Sequence, residues 1–346
     1  MENSKLISDS CVVPRGERNP VITVVRVIAM WMIIGCHVSS WLAIPALTMI
    51  LNVGVYVFLL ISGMLYAKKT IVDGVGFIKK RWIRLCIPMY YLAAFLLIFN
   101  ILNGRPQVLW SIPTYLLDLQ GMEFIVSGWK PYQMNGLGQL WFLTAIMICY
   151  FLLIPVKKLE KRGTGDRKVH APFIFAMLFL ADIFLAYTLR VQLNYFITFF
   201  LGYALGDCAQ RLGRKQYGLM TAAMICAMAV RLLCRSWVDG TVLYNDLVVP
   251  FTHMVLALWI FGTIQFAARC APGVIKMCAE SRGMVWLDKN SLYLYMTHYM
   301  FLVGPLYISS LPIPVPMQLL VFLAGAFVSE IILRWISEET IRRIRV

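Results

Sequence analysis

Charge is what this sequence has least of. Only 14% of its 346 residues are charged, and acids are scarcer still, 17 against 32 Lys and Arg. Soluble domains carry about a quarter charged residues and are about half apolar. Here 60% of the residues are apolar and the mean hydropathy is +0.74. That balance excludes a soluble globular domain and implies an integral membrane protein. Paired metal-ligand spacings are missing too. The nine cysteines form none, so no metal is expected, and thiols inside apolar runs, such as Cys36, Cys149 and Cys226, read as small apolar groups. A cleavable leader is not expected either. The first twenty or so residues are polar and mixed in charge, with no short apolar core before a small-residue site, so the first helix is expected to be kept. No internal repeat, low-complexity segment or second soluble domain stands out.

What fills the chain is a series of apolar runs. About ten are long enough to cross a roughly 30 Å hydrocarbon core: approximately 21–42, 47–67, 84–103, 139–156, 171–189, 194–207, 217–234, 247–267, 291–311 and 317–336. The expected fold is an all-α membrane bundle of about ten transmembrane helices, with a tail at 1–20, one membrane domain at 21–336 and a second tail at 337–346.

The net charge of +15 is distributed as an orientation signal rather than as a nucleic-acid surface. Lys5, Arg15 and Arg18, the cluster from Lys68 to Arg84, the stretch "VKKLEKRGTGDRKVH" and the tail Arg342, Arg343 and Arg345 all fall on one side. With two further loops they make about 25 cations against about five on the other side, Arg105, Lys130, Arg190, Arg231 and Arg235. The basic side faces the cytoplasm, so both termini are expected there, in a multi-pass protein of the cell membrane. The connection 103–138 is expected outside; its Trp110, Tyr115, Trp129 and Tyr132, interleaved with Asp118 and Glu123, suit an aromatic belt or stacking on sugars.

Polar residues inside such helices need a reason, because an unpaired charge there costs several kcal/mol. "RVIAMWMIIGCHVSS" carries Arg26 and His37. Eleven positions put them on one face, about 16 Å apart along the axis. Such a stripe faces the bundle interior or a water-filled cavity, although a histidine satisfied by a neighbour and a snorkelling arginine would fit as well. "FIKKRWIRLCIP" places Arg81 and Arg84 on one face of another helix, suited either to phosphate oxygens or to plain positive-inside charge. "GVYVFLLISGMLY" brings Gly54, Ser62 and Gly63, small residues that permit close packing. "NSLYLYMTHYMF" aligns Ser291, Tyr295 and His298. Asp182 and Glu330 are further intramembrane acids; Glu330 has Arg334 four residues on as a partner, and His253 reads as a core histidine.

The order of these stretches resembles the membrane acyltransferase 3 family over about residues 20–336. The similarity lies in Arg26 and His37, in Ser62 and Gly63, in R-x-x-R at Arg81 and Arg84, in Trp141, Phe142, Tyr150 and Pro155, and in Tyr295 with His298. The resemblance implies transfer of an acyl group, often acetyl, from cytoplasmic acyl-CoA to a hydroxyl of a cell-envelope polysaccharide, glycan or glycolipid. It implies catalytic roles for His37 and Arg26, donor binding by Arg81 and Arg84, and supporting roles for Ser62, Trp141, Tyr295 and His298. A histidine suits the general base, since deprotonating a hydroxyl as it attacks a thioester is worth about 10²–10⁴-fold. Arg26 would bind donor phosphate or hold that base. Some relatives add an extracytoplasmic hydrolase-like or racemase domain; neither is expected here, so the membrane domain is expected to act alone or with a separate partner. The rival reading is a proton-coupled transporter or a glycan or lipid flippase without acyl transfer. Against it, the sequence has no inverted repeat.

Overall fold

A computed structural model describes residues 19–126, 129–162, 167–189, 191–206 and 212–344. The tail cations Lys5, Arg15 and Arg18, together with Arg190 and Arg345, lie outside the described residues. Within them the chain is helical, apart from one isolated bridge between Val126 and Val191. The α-helices in chain order are α1 (Pro20–Trp41), α2 (Pro45–Leu51), α3 (Gly54–Ala67), α4 (Gly74–Leu102), α5 (Ile112–Leu116), α6 (Met122–Ile125) and α7 (Trp141–Arg162), followed by α8 (Arg167–Thr188), α9 (Asn194–Leu205), α10 (Arg214–Val238), α11 (Val249–Cys270), α12 (Pro272–Glu280), α13 (Arg282–Thr297) and α14 (Val315–Ile344).

Local chemistry sets the ends of the helices that matter for the site. Asn19 caps α1, its side chain accepting from the amides of Val21 and Ile22, with Pro20 at the first position. Asp73 caps α4 through the Gly76 amide and Ser281 caps α13 through that of Met284.

Seven stretches among the described residues are helical, long and apolar enough to cross a membrane: Pro20–Trp41, Pro45–Ala67, Gly74–Leu102, Gly138–Glu160, Arg214–Val238, Leu243–Cys270 and Val315–Ile344. Met177–Thr188 and Asn194–Leu205 are apolar but shorter. The expected segment 291–311 is not one helix. The cap at Ser281 starts α13 early, inside charged sequence, and the helix ends at Thr297. Two 3₁₀ turns follow, His298–Phe301 and Ile308–Ser310. Between them Gly304 takes φ +114°, where an added Cβ would lie 2.9 Å from the backbone of Asn135 and Gly136, and Pro305 offers no amide.

Small residues let the inner helices touch backbone to backbone. A Cβ on Gly63 would fall 1.9 Å from the Phe199 carbonyl oxygen, and one on Gly202 the same distance from that of Leu60. The α3–α9 seam therefore needs both glycines, close packing of the kind small residues permit in lipid. Gly54 seats α3 against the backbone of Ala29 in α1. Outward, α10 and α14 present exposed Leu219, Leu233, Trp237, Leu320, Val328 and Trp335. This is the expected face of a protein solvated by hydrocarbon.

The bundle has two unlike ends. At one, the C-terminus of α3 meets α4 and α7, where buried Lys157 donates to the Ala67 carbonyl at 2.9 Å. At the other, the connection 103–138 folds back onto the helices: Gly121 N–H donates to Thr144 Oγ1 at 2.9 Å and the Met134 amide to the Tyr115 hydroxyl at 3.1 Å. Tyr115 is thus buried while Trp110, Trp129 and Tyr132 are exposed.

Candidate active site

Helices α1 and α13 run side by side in the same direction, and polar groups meet between them at two levels. At the first level Arg26 Nη1 donates to Asp288 Oδ1 at 2.5 Å, with the carboxylate nearly buried and the guanidinium partly open. About three turns further, the rings of His37 and His298 approach to 5.3 Å between centroids, and the edge of Tyr299 comes within 4.7 Å of His37.

The break at the end of α13 fixes the histidine pair. His298 is fully buried, and its Nδ1 lies 2.8 Å and 3.2 Å from the carbonyl oxygens of Tyr295 and Leu294. Carbonyls only accept, so Nδ1 carries the proton and Nε2 holds a lone pair. That Nε2 is buried with no hydrogen-bond partner among the described residues. Gln139 Nε2 donates to the Met296 carbonyl at 2.6 Å, and the Tyr295 hydroxyl donates to the Gln139 carbonyl. The backbone before α7 therefore braces the turn that carries His298. His37 is partly exposed and makes no hydrogen bond among the described residues.

At the opposite end of α1 the cations converge. The Arg81 guanidinium lies over three rings, 5.4 Å from Tyr66 and from Phe77 and 5.8 Å from Tyr150. Arg81 Nε is buried with no hydrogen-bond partner among the described residues. Lys69 Nζ sits 5.1 Å from the centre of the Tyr66 ring, which it shares with Arg81. Its ammonium is easier to deprotonate than usual, first through burial and then through the nearby charges of Arg81, Arg26 and Arg84. Clustered cations with low-dielectric aromatic walls attract anions. Arg84 is exposed on the rim.

Of the residues singled out in the sequence, the structure brings His37 to His298 and collects Arg26, Arg81 and Arg84 at the other end. It does not bring Arg26 to His37: of the two roles expected for Arg26, holding the base is not supported, because Asp288 occupies its guanidinium three turns away. Trp141 packs against Phe124, Tyr195 and Phe142 at the head of α7, ring centroids 4.8–6.5 Å away. Ser62 is partly buried beside the α3–α9 seam. Tyr295 bonds to Gln139 and meets Phe142 edge-on. Glu330 does pair with Arg334, at 2.9 Å, and Asp182 accepts from the Leu193 amide at 2.6 Å. Among the described residues no His, Cys, Asp and Glu cluster could hold a metal.

Two departures stand out. Arg231, counted with the outer-side charges, is buried within α10, and His253 accepts from it at 3.0 Å. Asp288 and Tyr299 were not singled out at all. A signal for Asp288 exists: Asp288 precedes His298 by ten residues as Arg26 precedes His37 by eleven, opposite charges at matched spacing on two helices.

A family model described as an acyltransferase domain matches residues 19–335. No curated protein and no solved structure matches the chain.

Proposed function

The chain belongs to the acyltransferase domain family, and on that premise we propose an O-acyltransferase of the cell membrane that moves an acyl group, acetyl first among the candidates, from cytoplasmic acyl-CoA to a hydroxyl of an envelope glycan or glycolipid. The observation that carries this reading is the polar track between α1 and α13, with the boxed arginine beyond one end and a buried imidazole lone pair at the other. The seven long apolar stretches, the two shorter helices and the broken α13 segment are consistent with about ten crossings and both termini inside.

In this reading the basic end faces the cytoplasm. Arg81, Arg84 and Lys69 bind the nucleotide and pyrophosphate of the donor, and the unpartnered Arg81 Nε supplies one donor to a phosphate oxygen. Arg26, anchored by Asp288, keeps the entrance positive without leaving a bare charge in lipid. The acyl-bearing arm then spans the roughly 16 Å to the histidines. There His37 takes the hydroxyl proton as the oxygen attacks the thioester carbonyl; the C–O bond forms, the C–S bond breaks, and the imidazolium returns the proton to the departing thiolate. His298, its tautomer fixed by backbone carbonyls, accepts a hydrogen bond from His37 or from the acceptor and so orients the reacting groups. Tyr299 and the aromatic shell limit water.

The test is reconstitution with labelled acetyl-CoA and envelope glycan. Label covalently attached to the glycan supports the reading. Movement of unmodified substrate without label transfer would instead establish the transporter or flippase.

A further inference from the structure

A cavity of about 530 Å³ opens beside the last turn of α1, well within the size of ligand sites. Ser40 from α1, Thr48 and Met49 from α2, Arg231 and Arg235 from α10, and Asp239 just past its end border it. Neither the histidine pair nor the basic end contributes to its wall.

The charge in that wall is unbalanced. Arg231 is only 5% exposed. Its Nη1 donates to His253 Nε2 at 3.0 Å and to the Met49 carbonyl at 3.4 Å, while its Nε has no partner among the described residues. A guanidinium cannot accept, so His253 meets it through a lone pair and is neutral. Arg231 forms no ion pair with a described carboxylate, a costly arrangement for a buried charge unless something else supplies the anion. One turn on, Arg235 faces Asp239 at 4.0 Å, both largely open to solvent. Two guanidiniums thus border a ligand-sized space, and the one carboxylate in its wall pairs with Arg235 alone.

Ser40 lies one turn past His37, about 4.5 Å further along the axis. Cys36, just before His37, and Ser39, on the turn between, both reach Thr48, through its carbonyl at 3.7 Å and its hydroxyl at 2.8 Å. The cavity is therefore the next space round the helix from the histidine pair.

We propose that this cavity receives the anionic group of the acceptor, a carboxylate or phosphate, gripped by Arg231 and Arg235 while a nearby hydroxyl is presented to the histidines. The acceptor is accordingly an acidic glycan or glycolipid. This rests on the acyltransferase reading above, but the anion site itself is measurable without transfer.

The test uses the full chain in phosphatidylcholine nanodiscs with Ser40→Cys. Modification by an anionic and by a cationic methanethiosulfonate of similar size is followed by the mass of the peptide carrying residue 40. The anionic reagent is expected to react at least tenfold faster, glucuronate or inorganic phosphate to slow it, and Arg231→Gln or Arg235→Gln to shrink the preference at least fivefold. Equal or reversed preference, or a preference that neither substitution moves, overturns the proposal. Protection by phosphatidylglycerol in the nanodisc but not by glucuronate assigns the cavity to lipid headgroups and overturns the acceptor role. With labelled acetyl-CoA, methyl glucuronide should then be acylated in preference to methyl glucoside, and Arg231→Gln should cut that preference tenfold. An anion-selective cavity in a protein that acylates neither would leave the site standing and remove the acyltransferase reading instead.

Discussion

His37 and His298 face each other ring to ring at 5.3 Å, and the helices that carry them are held in register by the bond from Arg26 to Asp288. Two ties at the two levels of one interface make α1 and α13 a single unit. The chemistry proposed at one level depends on the ion pair at the other.

His37→Gln and His37→Ala should each lower acyl transfer at least a hundredfold while acyl-CoA still binds, because glutamine can imitate one ring hydrogen bond but cannot take up a proton near neutral pH. His298→Gln should cost less, about tenfold. Single-turnover transfer measured beside donor binding separates these. Near-normal transfer in His37→Gln with loss in His298→Gln would exchange the two roles, and activity in both would sink the general-base mechanism.

Arg81→Ala combined with Arg84→Ala should raise the apparent KM for acyl-CoA tenfold or more, with little loss of stability, since charge-assisted bonds to phosphate contribute about 1.5–3 kcal/mol each. Arg81→Lys should fail nearly as badly: a point charge does not fill the flat space between Tyr66, Phe77 and Tyr150. An unchanged KM in the double variant would return these residues to a purely topological role.

Gly63→Ala should destabilise the bundle by about 1–3 kcal/mol, because the new methyl would overlap the Phe199 carbonyl and push α3 off α9. Gly218→Ala, in α10 with nothing within 4 Å, is the control and should be neutral. Thermal unfolding in detergent reads both. Equal midpoints for the two variants would remove the seam from its structural role.

Asp118 links the connection 103–138 to α7, accepting from Gln120 at 2.7 Å and Thr144 at 3.2 Å. Burial raises its carboxyl to about 7 against those two hydrogen bonds. The folded chain then holds this proton more tightly than the unfolded chain, so the stabilisation is complete below about pH 4 and is lost as pH rises through 7. Stability should fall by up to about 1.4 kcal/mol per pH unit across that window, and Asp118→Asn should flatten the profile. A wild-type midpoint that rises from pH 5 to pH 8, with the Asn variant parallel to it, would show that another group governs the response.

Cysteine introduced at Lys69 should react with an impermeant reagent only from the cytoplasmic side, and cysteine at Trp129 only from the outer side. Labelling of both from one side would break the proposed topology, most simply at the short α9.

Much of the architecture was legible because lipid imposes a coarse code: apolar length gives spans, and seven of the expected segments coincide with long apolar helices. The broken segment after Thr297 was not, since its end depends on Gly304 meeting Gly136, a contact made by residues far apart in the chain. Which polar residues stand inside the apolar runs was legible as well; most of their partners were not. Nothing near Arg26 in sequence announces Asp288, and the box around Arg81 draws its three rings from α3, α4 and α7. The surroundings of Arg231 were hidden for the converse reason. A cation near a helix end counts as an orientation signal until a neighbouring helix, here the one carrying His253, is seen to enclose it.

The pairing of α1 with α13 also sets an order of biogenesis. The ribosome makes His37 early and His298 near the end, and at roughly 5–20 residues per second the interval is on the order of 13–50 s. Throughout that time α1 must sit in the membrane with Arg26 lacking its acid and His37 lacking its neighbour. The nascent protein therefore carries half of each pair, inert, until its penultimate α-helix and the turn after it arrive. A chain cut short before α13 would lose both ties at once, leaving quality control an unmatched arginine in lipid by which to find it.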